Sequence, residues 1–246
     1  MTIHALWCHP RSVSTAFERI MRERDDLDVL HEPFLYDYYL NQTAGLFPDF
    51  APDPAHPRTF VDIRDMILER AGRQPVFFKD MAFYVVDVLP QDSAFMTQMT
   101  HCFLVRDPAE SILSYHRRDP NFALKEVGIE AQHRLYQLLC DAGIRPLVVT
   151  ADDLRTDPQA TMKRYWDHVG LPDAPHAFAW DNTLPDGWGA VKEWHTETLR
   201  SGAIRQPATG RDYRAELAAL GAPFTQYDAH HRPFYAALKQ IAAHQK

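Results

Sequence analysis

The chain has 246 residues but only three cysteines, Cys8, Cys102 and Cys140. That odd number, without any CxxC spacing, excludes a disulfide framework and a cysteine-based zinc site, and predicts reduced, mostly buried thiols. Positive charge is also in deficit: 26 Lys and Arg stand against 33 Asp and Glu, for a formal net charge of −7. Coating nucleic acid or lying on an anionic membrane requires a positive field, so neither partner is expected, whereas a small anion held by a few placed arginines remains compatible. The longest apolar runs, such as Met81 to Val86, fall far short of the roughly 18 residues of a membrane span. The opening MTIHALWCHPR lacks a basic stretch followed by a long apolar one, so no signal peptide is read and a cytoplasmic location is expected. Internal repeats and low-complexity tracts are absent. The 13 histidines show no HExxH-like ligand spacing, and no metal is expected. Nothing in the sequence bears on oligomeric state.

What is present is the composition of a soluble globular protein, 46% hydrophobic and 24% charged, of a length that suits one α/β domain spanning residues 1–246. Short apolar segments alternate with longer amphipathic ones, the pattern of a parallel sheet covered by helices. Strands are predicted at about 3–7, 28–31, 75–79, 101–105 and 145–149. Helices are predicted at about 14–25, 59–72, 107–118, 127–142 and 158–169, with a closing helix at about 226–245. These make a three-layer α/β sandwich around a mainly five-stranded parallel sheet. The proline-rich stretch 47–57 is predicted as loop, and 172–212 as an irregular segment able to cover a site. Residues 1–172 form the expected binding core, and 173–246 its cover and closing helix.

Two strand-to-helix turns carry the chemistry. In the first, Pro10-Arg11-Ser12-Val13-Ser14-Thr15 leads from the first strand into a helix beginning near Ser14. A helix N-terminus offers unpaired amides and a positive dipole end, which suits a phosphate. Against the phosphate-loop pattern GxxxxGK[ST], Cys8 and Val13 hold the glycine places, Ser14 the lysine place, and Thr15 is kept. The missing lysine counts against an ATP- or GTP-using enzyme. A plain helix cap by Ser12 or Ser14 is the structural alternative. In the second turn, Arg106 ends a strand and Ser114 lies two helical turns later, so both can face one anion. The alternative there is a surface pair between Arg106 and Asp107 or Glu110.

With these motifs the chain resembles the sulfotransferases that use 3′-phosphoadenosine 5′-phosphosulfate (PAPS), whose fold is P-loop NTPase-like. The likeness extends through His31-Glu32-Pro33-Phe34, the run Thr150 to Thr161, similar to the family's strand exit, and His168-Val169-Gly170-Leu171-Pro172, similar to its helix end, and covers residues 3–172. It implies that Arg11, Ser12, Val13, Ser14 and Thr15 hold the donor's 5′-phosphosulfate and Arg106 with Ser114 its 3′-phosphate, while Ser201 and Arg205 are candidates for the adenosine cover. Val13 stands where the family has glycine, so the loop either strains a β-branched residue at positive φ or relaxes to negative φ. Cytosolic members carry a KxH segment with a histidine base. Here the segment is Lys79-Asp80-Met81, and methionine takes that place. Lys79 is then expected to stabilise the transferring group. Glu32, in the place of the base of the tyrosylprotein sulfotransferases, is the first candidate for the proton acceptor, with His31, Asp80 and His116 in reserve. The expected acceptor is a small-molecule hydroxyl or, less favoured, an amine. The aromatics around Glu32 and Lys79 suit either core or an apolar acceptor pocket. The rival readings are a kinase-like phosphotransferase and a non-catalytic nucleotide-binding protein of the same fold.

Overall fold

In the computed structural model, which describes residues 2–43, 48–181, 183–195, 200–207 and 209–246, five strands form one parallel sheet: β1 (Ile3–Cys8), β2 (Asp28–His31), β3 (Val76–Met81), β4 (Met99–Val105) and β5 (Leu147–Thr150). Their order is β2-β3-β1-β4-β5. All four pairings are parallel. Helices cover both faces, which is why β1, β3 and β5 are buried at every position and read as near-continuous apolar runs. The last strand starts two residues later than expected because Pro146, which has no amide hydrogen to give a ladder, stands just before it.

The helices that shape the site are α1 (Ser14–Arg22), α2 (Phe60–Ala71), α3 (Pro108–His116), α4 (Ile129–Asp141), α5 (Ala151–Thr156), α6 (Pro158–Val169), α7 (Tyr213–Leu220) and α8 (Phe224–His244). Helix α1 stops short of the predicted residue 25. Residues 23–26 are all charged, and the next apolar side chain to reach the core is Leu27. Arg24 instead pairs with Asp26 at 2.7 Å and stacks over Trp166 at 5.1 Å. Helix α5 was read as a strand exit; Thr150 caps it through the amide of Asp153, and Asp157 caps α6 through that of Ala160. Gly170 ends α6 at φ 75°, a conformation open to glycine without a Cβ clash.

Helix α3 begins at Pro108, and Asp107 caps it by accepting the Ala109 amide at 2.9 Å. Asp107 also pairs with Arg232 of α8, so one carboxylate fixes the start of α3 and docks the closing helix. Asp107→Ala is expected to cost about 1–2 kcal/mol, the range for a lost N-cap. For a domain of this size that lowers the melting temperature by about 2–8 °C, read by thermal denaturation.

Cys8 and Cys102 are buried, Cys140 is exposed, and all three are free. No described helix is long and apolar enough to cross a membrane. The predicted loop 47–57 and irregular segment 172–212 contain no strand among their described residues; positions 47, 182, 196–199 and 208 lie outside those residues.

Candidate active site

Parallel α/β sheets bind ligands at the carboxyl ends of their strands, where the strand order reverses. Here the chain leaves β1 for β2 on one side of the sheet and later returns to β4 on the other. A cavity of about 350 Å³ opens at this point, and its wall includes residues following β1, β2 and β4, residues at the end of β3, and residues of the covering segment.

The turn after β1 forms its floor. Arg11 has φ 62° and Val13 φ 72°, so left-handed residues flank Ser12. Successive residues of alternating hand aim their amides at one point and make a nest for an anion. Val13 therefore adopts the strained alternative of the two foreseen. A β-branched residue at positive φ costs of order 1–3 kcal/mol, and such strain persists only where surrounding structure imposes it. The turn is braced by His9, whose Nε2 accepts the Arg106 amide at 3.0 Å. Burial holds that imidazole's pKa down to about 3, so it stays neutral and able to accept.

The expected anion ligands converge, in a pairing the spacing did not foresee. Arg11 Nε donates to Ser114 Oγ at 3.0 Å and its Nη1 to the Trp194 carbonyl at 3.1 Å. Arg106 Nη1 donates to the Arg11 carbonyl at 2.6 Å. The anticipated Arg106–Glu110 pair exists at 2.6 Å, but inside the cavity wall and not on the surface. Arg155 also grips Glu110 through both carboxylate oxygens, at 2.8 and 3.0 Å. Burial alone would raise the Glu110 pKa; the bonds from Arg106 and Arg155 overcome it and hold it at about 2. Arg106 Nε is buried with no hydrogen-bond partner among the described residues.

Of the other expected residues, Val13, Ser14, Thr15, Ser201 and Arg205 border the cavity. Ser12 does not: it is fully buried, and its hydroxyl has no hydrogen-bond partner among the described residues. Among the described residues, six arginines (Arg11, Arg106, Arg117, Arg155, Arg205 and Arg211) and Lys79 face the cavity against two carboxylates, Glu32 and Glu110. The site is thus strongly cationic in a chain of net charge −7.

At the opposite end Lys79, wholly buried, donates to Glu32. Parallel pairing sets His31 beside Lys79, and the Glu32 amide continues the ladder by donating to the Lys79 carbonyl at 2.9 Å. Burial would lower the Lys79 pKa, but the Glu32 and Glu18 carboxylates outweigh it, and the ammonium stays charged above its usual value. Glu32 sits at φ 42°, a third non-glycine residue of positive φ in the site after Arg11 and Val13. Met81, Tyr39, Tyr84, Tyr115 and Trp194 line the wall with this pair. Phe34, Tyr36, Tyr38, Phe77, Phe78 and Phe83 are core.

The reserve proton acceptors divide. Asp80 accepts the amides of Phe34 at 2.7 Å and Met81 at 2.9 Å, away from the cavity wall, with its pKa raised well above normal by burial. His116 packs on the Phe224 ring at 4.7 Å, also outside the wall. His31 points back to Glu18 at 2.6 Å. Sequence reasoning missed His195, which borders the cavity and contacts both Thr15 and His31. It lies in a segment without periodicity or motif, so no local signal marked it. Arg155, although inside the motif run that ends at Thr161, and Tyr213, at the start of α7, were also missed, because only the fold brings them to the cavity.

A five-stranded parallel sheet with a nest after its first strand and cationic residues at the strand ends defines a P-loop-like α/β fold. The "Sulfotransferase domain" family profile matches residues 1–240, and the chain belongs to that family. Among curated proteins it is 30% identical over 202 residues to Branched-chain-amino-acid aminotransferase-like protein 2 of Arabidopsis thaliana; the match takes in 80% of this chain, which spans only 35% of that protein. The fold is similar to the sulfotransferase domain from the curacin biosynthetic pathway (TM-score 0.59, 16% identity, 94% of this chain and 97% of that one). It is also similar to mouse sulfotransferase SULT7A1 complexed with PAP (TM-score 0.52, 11% identity, 98% and 89%).

Proposed function

We propose that the domain transfers a sulfuryl group from PAPS to a hydroxyl, or less favourably an amine, of a small-molecule acceptor. The observation that carries this reading is the convergence of Arg11, Arg106 and Ser114, from the two separate turns, on one cationic cavity that also holds the Glu32–Lys79 pair. A doubly phosphorylated nucleotide has two anionic ends to match two such turns, and the unpartnered Arg106 Nε is a donor awaiting an acceptor. Family membership supports the reaction class.

In this reading the new O–S bond forms as the bond from sulfur to the bridging phosphate oxygen breaks, and that oxygen keeps the electron pair. Arg11 and the nest amides neutralise the departing phosphate, the electrostatic term expected to dominate. Glu32 takes the acceptor's proton. Its carboxylate accepts from the Lys79 ammonium, and taking the acceptor's proton weakens that bond, so the ammonium then stabilises the sulfuryl oxygens. Met81, Tyr39 and Tyr84 beside this pair favour an acceptor with an apolar or aromatic body.

Calorimetry tests the donor. 3′-Phosphoadenosine 5′-phosphate (PAP) is expected to bind at least tenfold more tightly than Mg-ATP, about 1.4 kcal/mol; a preference for Mg-ATP would sink the assignment in favour of a phosphotransferase.

A further inference from the structure

Four side chains form a hydrogen-bonded chain from the β1 turn into the core. Thr15 Oγ1 lies 3.1 Å from His195 Nδ1, His195 Nε2 lies 2.9 Å from His31 Nε2, and His31 Nδ1 lies 2.6 Å from Glu18. Glu18 is wholly buried and also accepts from Arg22 Nε at 2.7 Å and from Trp188 Nε1 at 2.8 Å. His31 and His195 are buried too.

The proton positions follow by elimination. Burial disfavours charge on Glu18, but the Arg22 guanidinium and the hydrogen bond from His31 lower its pKa, so it is ionised and only accepts. His31 therefore carries its proton on Nδ1. Burial keeps both imidazoles neutral, with Lys79 opposing charge on each and Arg11 adding to the effect at His195. His31 Nε2 is then bare and must receive the proton on His195 Nε2. His195 Nδ1 is bare in turn and takes the hydroxyl proton of Thr15. In this state Thr15 presents only lone pairs to the cavity, which is the wrong polarity for a phosphate. One proton added to His31 leaves its bond to Glu18 unchanged and reverses the other two: His31 Nε2–H donates to His195, His195 Nδ1–H donates to Thr15, and the Thr15 hydroxyl is released to donate into the cavity.

We propose that this chain is a proton-coupled switch in the donor site: a phosphate seated at the β1 turn draws one proton onto His31, and His195 turns Thr15 into a donor to that phosphate. The inference rests on the donor assignment above and makes His195 a positioning residue. The groups facing the switch are Thr15, Glu18 and Arg22 from α1, Arg11 from the turn before it, Glu32 after β2, Lys79 from β3 and Trp188 from the covering segment. His31, Glu32 and His195 also bring ligand atoms within 4.8 Å of one another. The Lys79 ammonium on Glu32 repels a cation there, and the 2.9 Å contact between the two Nε2 atoms is the length of a hydrogen bond.

Calorimetric titration with PAP at pH 7.5, in buffers of different protonation heat, tests the switch. Wild type is expected to take up about one proton more than His31→Gln or His195→Gln, and its PAP affinity to rise up to about tenfold per pH unit lost, relative to either variant. Equal uptake in all three overturns the switch. Nitrogen-15 spectra of the unaltered, ligand-free protein test it without any variant. The Nδ1–H tautomer at His31 and the Nε2–H tautomer at His195 are required, and another tautomer at either position overturns it, as does stoichiometric Zn²⁺ binding that shifts both rings. Failure of PAP to bind would instead sink the donor assignment, while the tautomers would still decide the hydrogen-bonded chain.

Discussion

Replacing Arg11 by alanine is expected to weaken PAP binding by about 10²-fold and to slow sulfuryl transfer to a phenolic test acceptor by about 10³-fold. The first figure corresponds to roughly 3 kcal/mol, the loss of one or two charge-assisted hydrogen bonds to a phosphate. The second is larger because charge builds on the departing phosphate as the reaction proceeds, and removing one donor aimed at such charge costs about 10²–10³ in turnover by itself. Arg11→Lys separates the two effects. It keeps the charge but not the planar fork that now spans Ser114 Oγ and the Trp194 carbonyl, so it should recover much of the affinity and little of the turnover. Binding calorimetry and initial rates supply the readings. PAP affinity within twofold of wild type in Arg11→Ala would remove Arg11 from the donor site.

Lys79→Met is expected to be the most destabilising single change in the site. The ammonium is fully buried, and its loss leaves Glu32, itself buried, without its partner. Breaking a buried pair from one side costs about 3–5 kcal/mol, because the remaining charge is uncompensated. In a domain of this size that lowers the melting temperature by about 6–20 °C. The pH dependence has a definite sign. An unpaired buried carboxyl titrates above its unfolded value of about 4.3, so the folded variant binds more protons than the unfolded chain between the two pKa values. Its stability then falls as pH rises through that window, relative to wild type. Adding Glu32→Gln removes the stranded charge and should restore most of the lost stability and abolish the pH dependence. Both variants are expected to lose transfer while still binding PAP, since the pair lies at the acceptor end. Thermal melts at several pH values decide the point, and a double variant no more stable than Lys79→Met would show that the two residues do not act as a pair.

Much of this was legible in the chain. The five strands fell close to where apolar runs bounded by turns placed them, and β2 matched at both ends. The segment 172–212 was marked by loss of periodicity, and in it Trp188 bonds Glu18 of α1 and His195 meets His31. Departures have local causes: Pro146 delays β5, and Thr150 caps a helix where a strand exit was read. The site was legible in part. Arg11, Arg106 and Ser114 stood out, but Ser114 meets Arg11 and not Arg106, because the nest carries the Arg11 side chain across to α3. The predicted surface pair between Arg106 and Glu110 became part of a buried network once Arg155 arrived from α5.

The amino-acid sequence by itself determined the alternation of strands and helices and the loading of charge at the strand ends, because periodicity, caps and turn residues act over neighbouring positions. It also determined that this acidic chain concentrates arginine at two turns. Only the tertiary structure decided which distant residues share a site. Strand order puts β1 between β3 and β4, and the pairing of His31 with Lys79 brings Glu32 to an ammonium 47 residues away. The hand of Val13, φ 72°, was settled the same way, since a β-branched residue takes that conformation only when packing around the turn imposes it. The Glu18–His31–His195–Thr15 chain joins three segments, α1, β2 and the covering segment, that no local pattern connects. It exists because the fold buries a carboxylate that must be satisfied and lays the covering segment over it.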